Sequence, residues 1–150
     1  MQIVVVLCQG RYMSIILRAA DSRDVPILVG ADSHVESHEL RRIIKSGRVT
    51  VCVMDDSVVG WLRWGLFWDE IPFMNLLFVM EPHRGKGLGT QMIQHWEHQQ
   101  RAAGHRSVMT STLASETAQH LYRRLGYVDR GCLLVPGEPL EIILGKSLSE

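Results

Sequence analysis

Two periods run through the hydrophobic and polar positions of this chain. A period near 3.6 marks residues 35–46, where Leu40, Ile43 and Ile44 share one side and Gly47 follows as a terminator. The same period covers residues 87–103, with Leu88, Met92, Ile93 and Trp96 pointing inward before Gly104. It recurs over 115–125, where Ala118, Leu121, Tyr122 and Leu125 form a stripe stopped by Gly126. A shorter helix over about 21–30 takes Asp21 as its cap and Asp24 in its first turn. Short apolar or alternating runs bounded by turn residues predict strands at 14–18, 49–54, 58–67, 107–112, 127–134 and 140–144. Asp55-Asp56-Ser57 reads as a hairpin turn, residues 68–72 as the next turn, and Val135-Pro-Gly-Glu-Pro139 as the last. Residues 73–80 read as an apolar strand buried on both faces. The predicted order is β-α-α-β-β-β-α-β-α-β-β, an α/β domain with a mixed central sheet flanked by helices.

Composition narrows the partners. A chain of 150 residues fits one domain with a substantial core. Sixteen Lys and Arg balance sixteen Asp and Glu, so no global field recruits nucleic acid or an anionic membrane. Any anion site must therefore be local. Cys8, Cys52 and Cys132 are an odd, widely spaced set, which reads as reduced thiols in a cytoplasmic protein, not as a disulfide frame or a zinc site. The apolar run at residues 3–8 is too short to span a bilayer and lacks the flanks of a signal peptide. Residues 1–13 are read as an N-terminal extension or as one more strand at a sheet edge, and residues 14–150 as the domain.

The most informative stretch is Asn75-Leu-Leu-Phe-Val-Met-Glu-Pro-His-Arg-Gly-Lys-Gly-Leu-Gly-Thr90. An apolar strand enters a glycine-rich turn that opens a long helix. Backbone N–H groups there can point outward, and the helix dipole adds positive charge. Gly85, Gly87 and Gly89 permit close approach of a ligand, while Arg84 and Lys86 add charge-assisted contacts. The turn can therefore hold a pyrophosphate. It carries no Gly-Lys-Ser or Gly-Lys-Thr of a Walker loop, and a G-x-G-x-x-G/A count from Gly85 fails at Thr90.

Arg84-x-x-Gly87-x-Gly89 resembles the coenzyme A loop of the GNAT acetyltransferases. A second segment, Ala114-Ser-Glu-Thr-Ala-Gln-His-Leu-Tyr-Arg-Arg-Leu-Gly-Tyr127, resembles that family's later helix, with Ala118, Leu121, Tyr122, Gly126 and Tyr127 at the matching positions. Ser115 stands where the family commonly has Asn, and its shorter side chain still offers one hydrogen bond. Pro82 lies one position nearer Arg84 than the family's proline. The resemblance implies the GNAT-like acyl-CoA acyltransferase fold, acetyl-CoA as cosubstrate and no metal. It implies backbone contacts from Leu77, Phe78 and Val79 to the pantetheine arm. It also implies phosphate contacts from Arg84, Gly85, Lys86, Gly87, Leu88, Gly89 and Thr90, and a further cofactor contact from Ser115. Tyr122 matches the family tyrosine that protonates or hydrogen-bonds the leaving sulfur, against the alternative of a core aromatic.

Glu70, and after it Asp69, precedes the central strand near where an amine acceptor should bind, so either can take the acceptor's proton; a solvated turn explains both as well. His34 and His38 flank Glu36 without a third ligand, and they read as a solvated face, as do His95, Glu97 and His98. His120 reads as a partly exposed histidine. Trp61, Trp64 and Trp68 read mainly as core, although one set can wall an acceptor pocket for an apolar or aromatic amine. The expected acceptor is the primary amine of a small molecule. A protein N-terminus or lysine is the second reading, and a silent acyl-CoA-binding module the third. The oligomeric state stays open, with a homodimer among the arrangements the chain admits.

Overall fold

A computed structural model describes the backbone of residues 1–8 and 11–149, and the side chains of residues 1–3 and 14–149. The strands are β1 (Gln2–Cys8), β2 (Arg11–Ala19), β3 (Val49–Met54), β4 (Ser57–Phe67), β5 (Ile71–Val79), β6 (Ser107–Leu113), β7 (Val128–Leu133) and β8 (Glu141–Ser147). The helices are α1 (Val25–Ala31), α2 (Ser37–Lys45), α3 (Leu88–Ala102) and α4 (Ala118–Arg124). Hydrogen-bonded neighbours follow the order β1-β2-β3-β4-β5-β6-β8-β7. This is the mixed sheet expected, because β5 and β6 run parallel while the other registered pairs are antiparallel. The chain divides into two compact units: Met1–Arg63 with Leu76–His95, and Trp64–Asn75 with Trp96–Glu150. β4, β5 and α3 contribute to both.

In the first unit β1 pairs with β2 along its length, from Gln2↔Leu17 to Cys8↔Arg11. The thiol of Cys8 lies outside the described side chains. Helix α1 starts at Val25, later than an Asp21 cap predicts. The local acids have other partners. Asp24 accepts from Arg18 at 2.7 and 2.9 Å and from the Asp21 N–H at 2.8 Å, while Asp21 accepts from Arg23. Those bonds hold residues 21–24 in a turn. Helix α2 packs Leu40 and Ile44 into a core with Leu28, Val49, Val51, Val53 and Trp61. Asp32, just past α1, accepts from the Trp61 indole at 3.3 Å and from Arg63 Nε at 3.1 Å, so a buried charge is paired and hydrogen-bonded. Asp55 and Asp56 form the two-residue turn between Met54 and Ser57, both with positive φ as that hairpin requires.

Gly60 lets β4 approach β5. A Cβ there would lie 2.7 Å from the Phe78 carbonyl oxygen and 3.2 Å from the Met92 methyl.

In the second unit β6 pairs with β8 over its whole length, Ser107↔Ser147 to Leu113↔Glu141, and β7 lies beyond β8. Three expectations need correction. The strand at 73–80 is not buried on both faces: only Pro72 and Met74 of β5 are buried, and residues 76–79 are half-exposed. His95 and Glu97 do not lie on a solvated face. Glu97 is buried and accepts from Lys146 Nζ at 2.6 Å, and His95 in the first unit meets the Gln2 side chain; His98 is exposed. The helix expected over 115–125 begins only at Ala118, and Ser115 lies exposed ahead of it. Trp61 is core and Trp64 packs on Trp96 at 6.4 Å, whereas Trp68 is 79% exposed in the turn after β4. Among the described residues, no helix is long and apolar enough to cross a membrane.

Candidate active site

The first unit carries the glycine loop. After β5 a short 3-10 turn, Glu81–His83, redirects the chain, with Pro82 early in the turn where a missing N–H costs nothing. Arg84 closes that turn. Its N–H donates to the Glu81 carbonyl at 3.2 Å and its Nε to the Val79 carbonyl at 2.8 Å. Its guanidinium carbon lies 5.6 Å from the centre of the Phe78 ring. Arg84 thus braces the loop entry against β5 in addition to bringing charge.

Gly85 and Gly87 have φ of +72 and +78 degrees, conformations that cost glycine little. A Cβ built on either meets nothing within 4 Å, so the loop is open beside both. The two left-handed glycines flank Lys86, which turns successive N–H groups to one side as in an anion nest. Arg84 and Gly85 form a hydrogen-bonded turn, and the helix ladder begins with Gln91 donating to the Gly87 carbonyl at 3.1 Å, so the N–H groups of 88–90 lie ahead of the ladder. Those donors, open space and the α3 dipole coincide here. That chemistry suits a diphosphate.

The second unit carries the other half of the motif. The parallel β5–β6 ladder consists of Phe73↔Met109 and Met74↔Thr110, after which β6 continues paired to β8. The Thr110 hydroxyl donates to the Met74 carbonyl at 3.0 Å and is also hydrogen-bonded to the Tyr122 hydroxyl. Tyr122 is 6% exposed and packs on Tyr127 at 5.7 Å between ring centres. Burial raises the Tyr122 phenol above its usual range; the Thr110 hydrogen bond partly offsets this and the Glu116 charge adds to the rise. Tyr122 is therefore protonated at neutral pH and anchored where β5 and β6 separate.

Glu70 and Asp69 lie in the exposed β4–β5 turn. Glu70 borders a cavity of about 250 Å³ with Pro72, His105, Arg106 and Ser107, at the start of β5 and β6. Tyr122 is anchored further along β6, at Thr110. A second cavity of about 200 Å³ opens between Leu66, Phe67, Phe73, Asn75, Leu133 and Ile143. Register puts one more carboxylate on its sheet face: Glu141 pairs with Leu133 and precedes Ile143 by two residues, so its side chain points the same way. The alternation of β8 was the only sequence signal for Glu141, and it became informative once Leu133 was placed opposite. Among the described residues, no three His, Cys, Asp or Glu side chains gather as a metal ion requires.

The first unit thus carries a glycine loop at a helix start, and the second a buried tyrosine beside the β5–β6 ladder. The family model described as an acetyltransferase (GNAT) domain matches residues 45–129. The chain belongs to the GNAT acetyltransferase family, and it is an acyltransferase. No curated protein matches it in sequence. Among solved structures it is similar to Ard1 from Thermoplasma volcanium, at 15% identity and TM-score 0.79, covering 91% of this chain and 99% of that one. It is also similar to the ribosomal-protein-S18-alanine N-acetyltransferase from Escherichia coli, at 15% identity and TM-score 0.76, covering 91% and 95%. A third is the N-acetylglutamate synthase from Neisseria gonorrhoeae, complexed with coenzyme A and N-acetyl-glutamate, at 15% identity and TM-score 0.77, covering 91% of this chain and 35% of that one. At these identities the likeness concerns the fold.

Proposed function

We propose that this protein moves an acetyl group from acetyl-CoA to the primary amine of a small molecule, by direct attack in a ternary complex. The observation that carries the reading is the Gly85–Gly87 turn, whose open side coincides with N–H groups ahead of the ladder at the start of α3. The cosubstrate supplies an acetyl thioester: a C–N bond forms as the C–S bond breaks, one proton leaves nitrogen and one reaches sulfur.

The chain's own groups have separate tasks. The N–H groups of 88–90 and the Lys86 charge bind the phosphates, and Arg84 holds the loop entry on β5. Backbone groups of Leu77, Phe78 and Val79, on the half-exposed stretch of β5, align the pantetheine arm. Tyr122 turns its hydroxyl hydrogen from Thr110 toward the sulfur as that atom gains charge. Ser115, exposed before α4, adds a polar contact to the cofactor. Glu70 takes the acceptor's proton through water, with Glu141 the competing carboxylate. The acceptor is drawn from the cytoplasm.

Calorimetry with acetyl-CoA, followed by coenzyme A release across an amine panel, tests the reading. Stoichiometric binding and amine-dependent release are expected; no binding at millimolar ligand would end it. Arg84→Ala should weaken coenzyme A far more than dephosphorylated pantetheine, and equal losses would remove Arg84 from the phosphate site. Glu70→Gln should lower kcat/KM more than Glu141→Gln does. The reverse order assigns the proton to Glu141.

A further inference from the structure

The second unit holds a cavity that the transfer steps leave unused. Its walls come from the end of β4 (Leu66, Phe67), from β5 (Phe73, Asn75), from β7 (Leu133) and from β8 (Ile143). Phe73 is also a rung of the β5–β6 ladder, and Asn75 lies just past the last rung at Met74. The cavity therefore begins where the two strands separate, on the sheet face opposite the Met74 and Thr110 side chains. None of its lining residues carries a charge, and Asn75 is its one polar side chain. Trp68, largely exposed and 4.6 Å from Phe67 between ring centres, extends the apolar wall outward.

Such walls discriminate by chemistry. A many-hydroxyl group entering them would lose hydration for few partners, and Glu141 is the one carboxylate that register puts on the same sheet face, enough for a single amine. An aromatic or branched aliphatic group would gain from the same contacts. Size narrows the choice further. An apolar cavity of about 150 Å³ accommodates a benzene ring, so the volume of about 200 Å³ suits one ring on a short linker. A peptide would bring several backbone donors and acceptors, and Asn75 alone offers them a side-chain partner.

We infer that the acceptor is a small free amine whose remaining part is a single uncharged aromatic or branched aliphatic group, held in this cavity. The inference rests on the acetyltransferase reading and narrows its acceptor. Coenzyme A release by the full chain is measured with phenethylamine, isoamylamine, spermidine and glucosamine, and with short peptides beginning in Phe or Leu. The two apolar amines should exceed spermidine and glucosamine by about 10²-fold in kcat/KM, and exceed the peptides too. Leu133 is 53% exposed, so Leu133→Asn leaves the fold intact. It should raise KM for phenethylamine about tenfold with acetyl-CoA affinity held, and Leu133→Met should restore it.

Higher kcat/KM for spermidine, glucosamine or the peptides overturns the inference. So does acetyl-CoA binding without turnover of either apolar amine, or an unmoved KM in Leu133→Asn. Failure of the wild type to bind acetyl-CoA overturns instead the acetyltransferase reading beneath it.

Discussion

Tyr122→Phe removes one oxygen from a buried ring and leaves that ring packed on Tyr127. The stability cost is one hydrogen bond, since Thr110 keeps the Met74 carbonyl as its acceptor at 3.0 Å. That is about 1 kcal/mol, or roughly 2–4 °C in Tm for a domain of this size. The catalytic cost is larger and can be bounded. Burial raises the Tyr122 pKa, so the proton sits more firmly on oxygen than in a free phenol of about 10. A simple thiol has a pKa of about 8.5, so complete transfer to sulfur runs uphill by more than one unit. Tyr122 therefore acts mainly as a hydrogen-bond donor to a developing charge, a contribution of roughly 1.5–3 kcal/mol. At about 1.4 kcal/mol per tenfold, kcat should fall about 10- to 150-fold, and acetyl-CoA affinity should hold. Single-turnover quench-flow with the best acceptor measures the chemical step free of product release. The group is needed protonated, so its contribution persists below its folded pKa and is lost as pH rises through it, above about 10. The mutant profile between about pH 6 and 9 should thus be lower than wild type and unchanged in shape. A wild-type single-turnover rate in a folded mutant would show that Tyr122 is only a core aromatic.

Gly60→Ala should destabilise by about 1–3 kcal/mol in thermal melts, because its Cβ would lie 2.7 Å from a backbone carbonyl, whereas Gly30→Ala, with nothing within 4 Å, should be neutral or better. Equal melts for the two would refute the close approach of β4 and β5. Cys52, its thiol pushed up to about 11 by burial, should resist iodoacetamide at pH 8 while the exposed Cys132 reacts, as read by peptide mapping. Asp24 is held below the usual carboxylate range by its hydrogen bonds from Arg18. Its stabilisation is therefore present above about pH 4 and lost as pH falls through the folded value, so wild-type Tm should drop more steeply on acidification than that of Asp24→Asn.

The strand–loop–helix unit from β5 to α3 was legible from residues alone because its conformation is local. Gly85 and Gly87 take backbone angles that other residues resist, and the stripe of Leu88, Met92, Ile93 and Trp96 selects the buried side of α3 without reference to anything distant. The Asp55-Asp56 hairpin is local in the same sense, and the two matched motifs carried the family assignment. Burial of polar and charged groups was another matter. Glu97 looks like a surface residue until Lys146, far along the chain, arrives against it, and Asp24 looks like part of a helix start until Arg18 claims its carboxylate. The β5–β6 ladder joins residues 73–74 to 109–110, a pairing that no local pattern encodes. The apolar cavity needs side chains from β4, β5, β7 and β8 at once, and no local period encodes that meeting. Local backbone preference and periodicity act over a few residues, so the sequence could declare the glycine turn and the helix it opens. Register between distant strands decides which side chains share a face, so only the tertiary structure could bring the walls of the apolar cavity together.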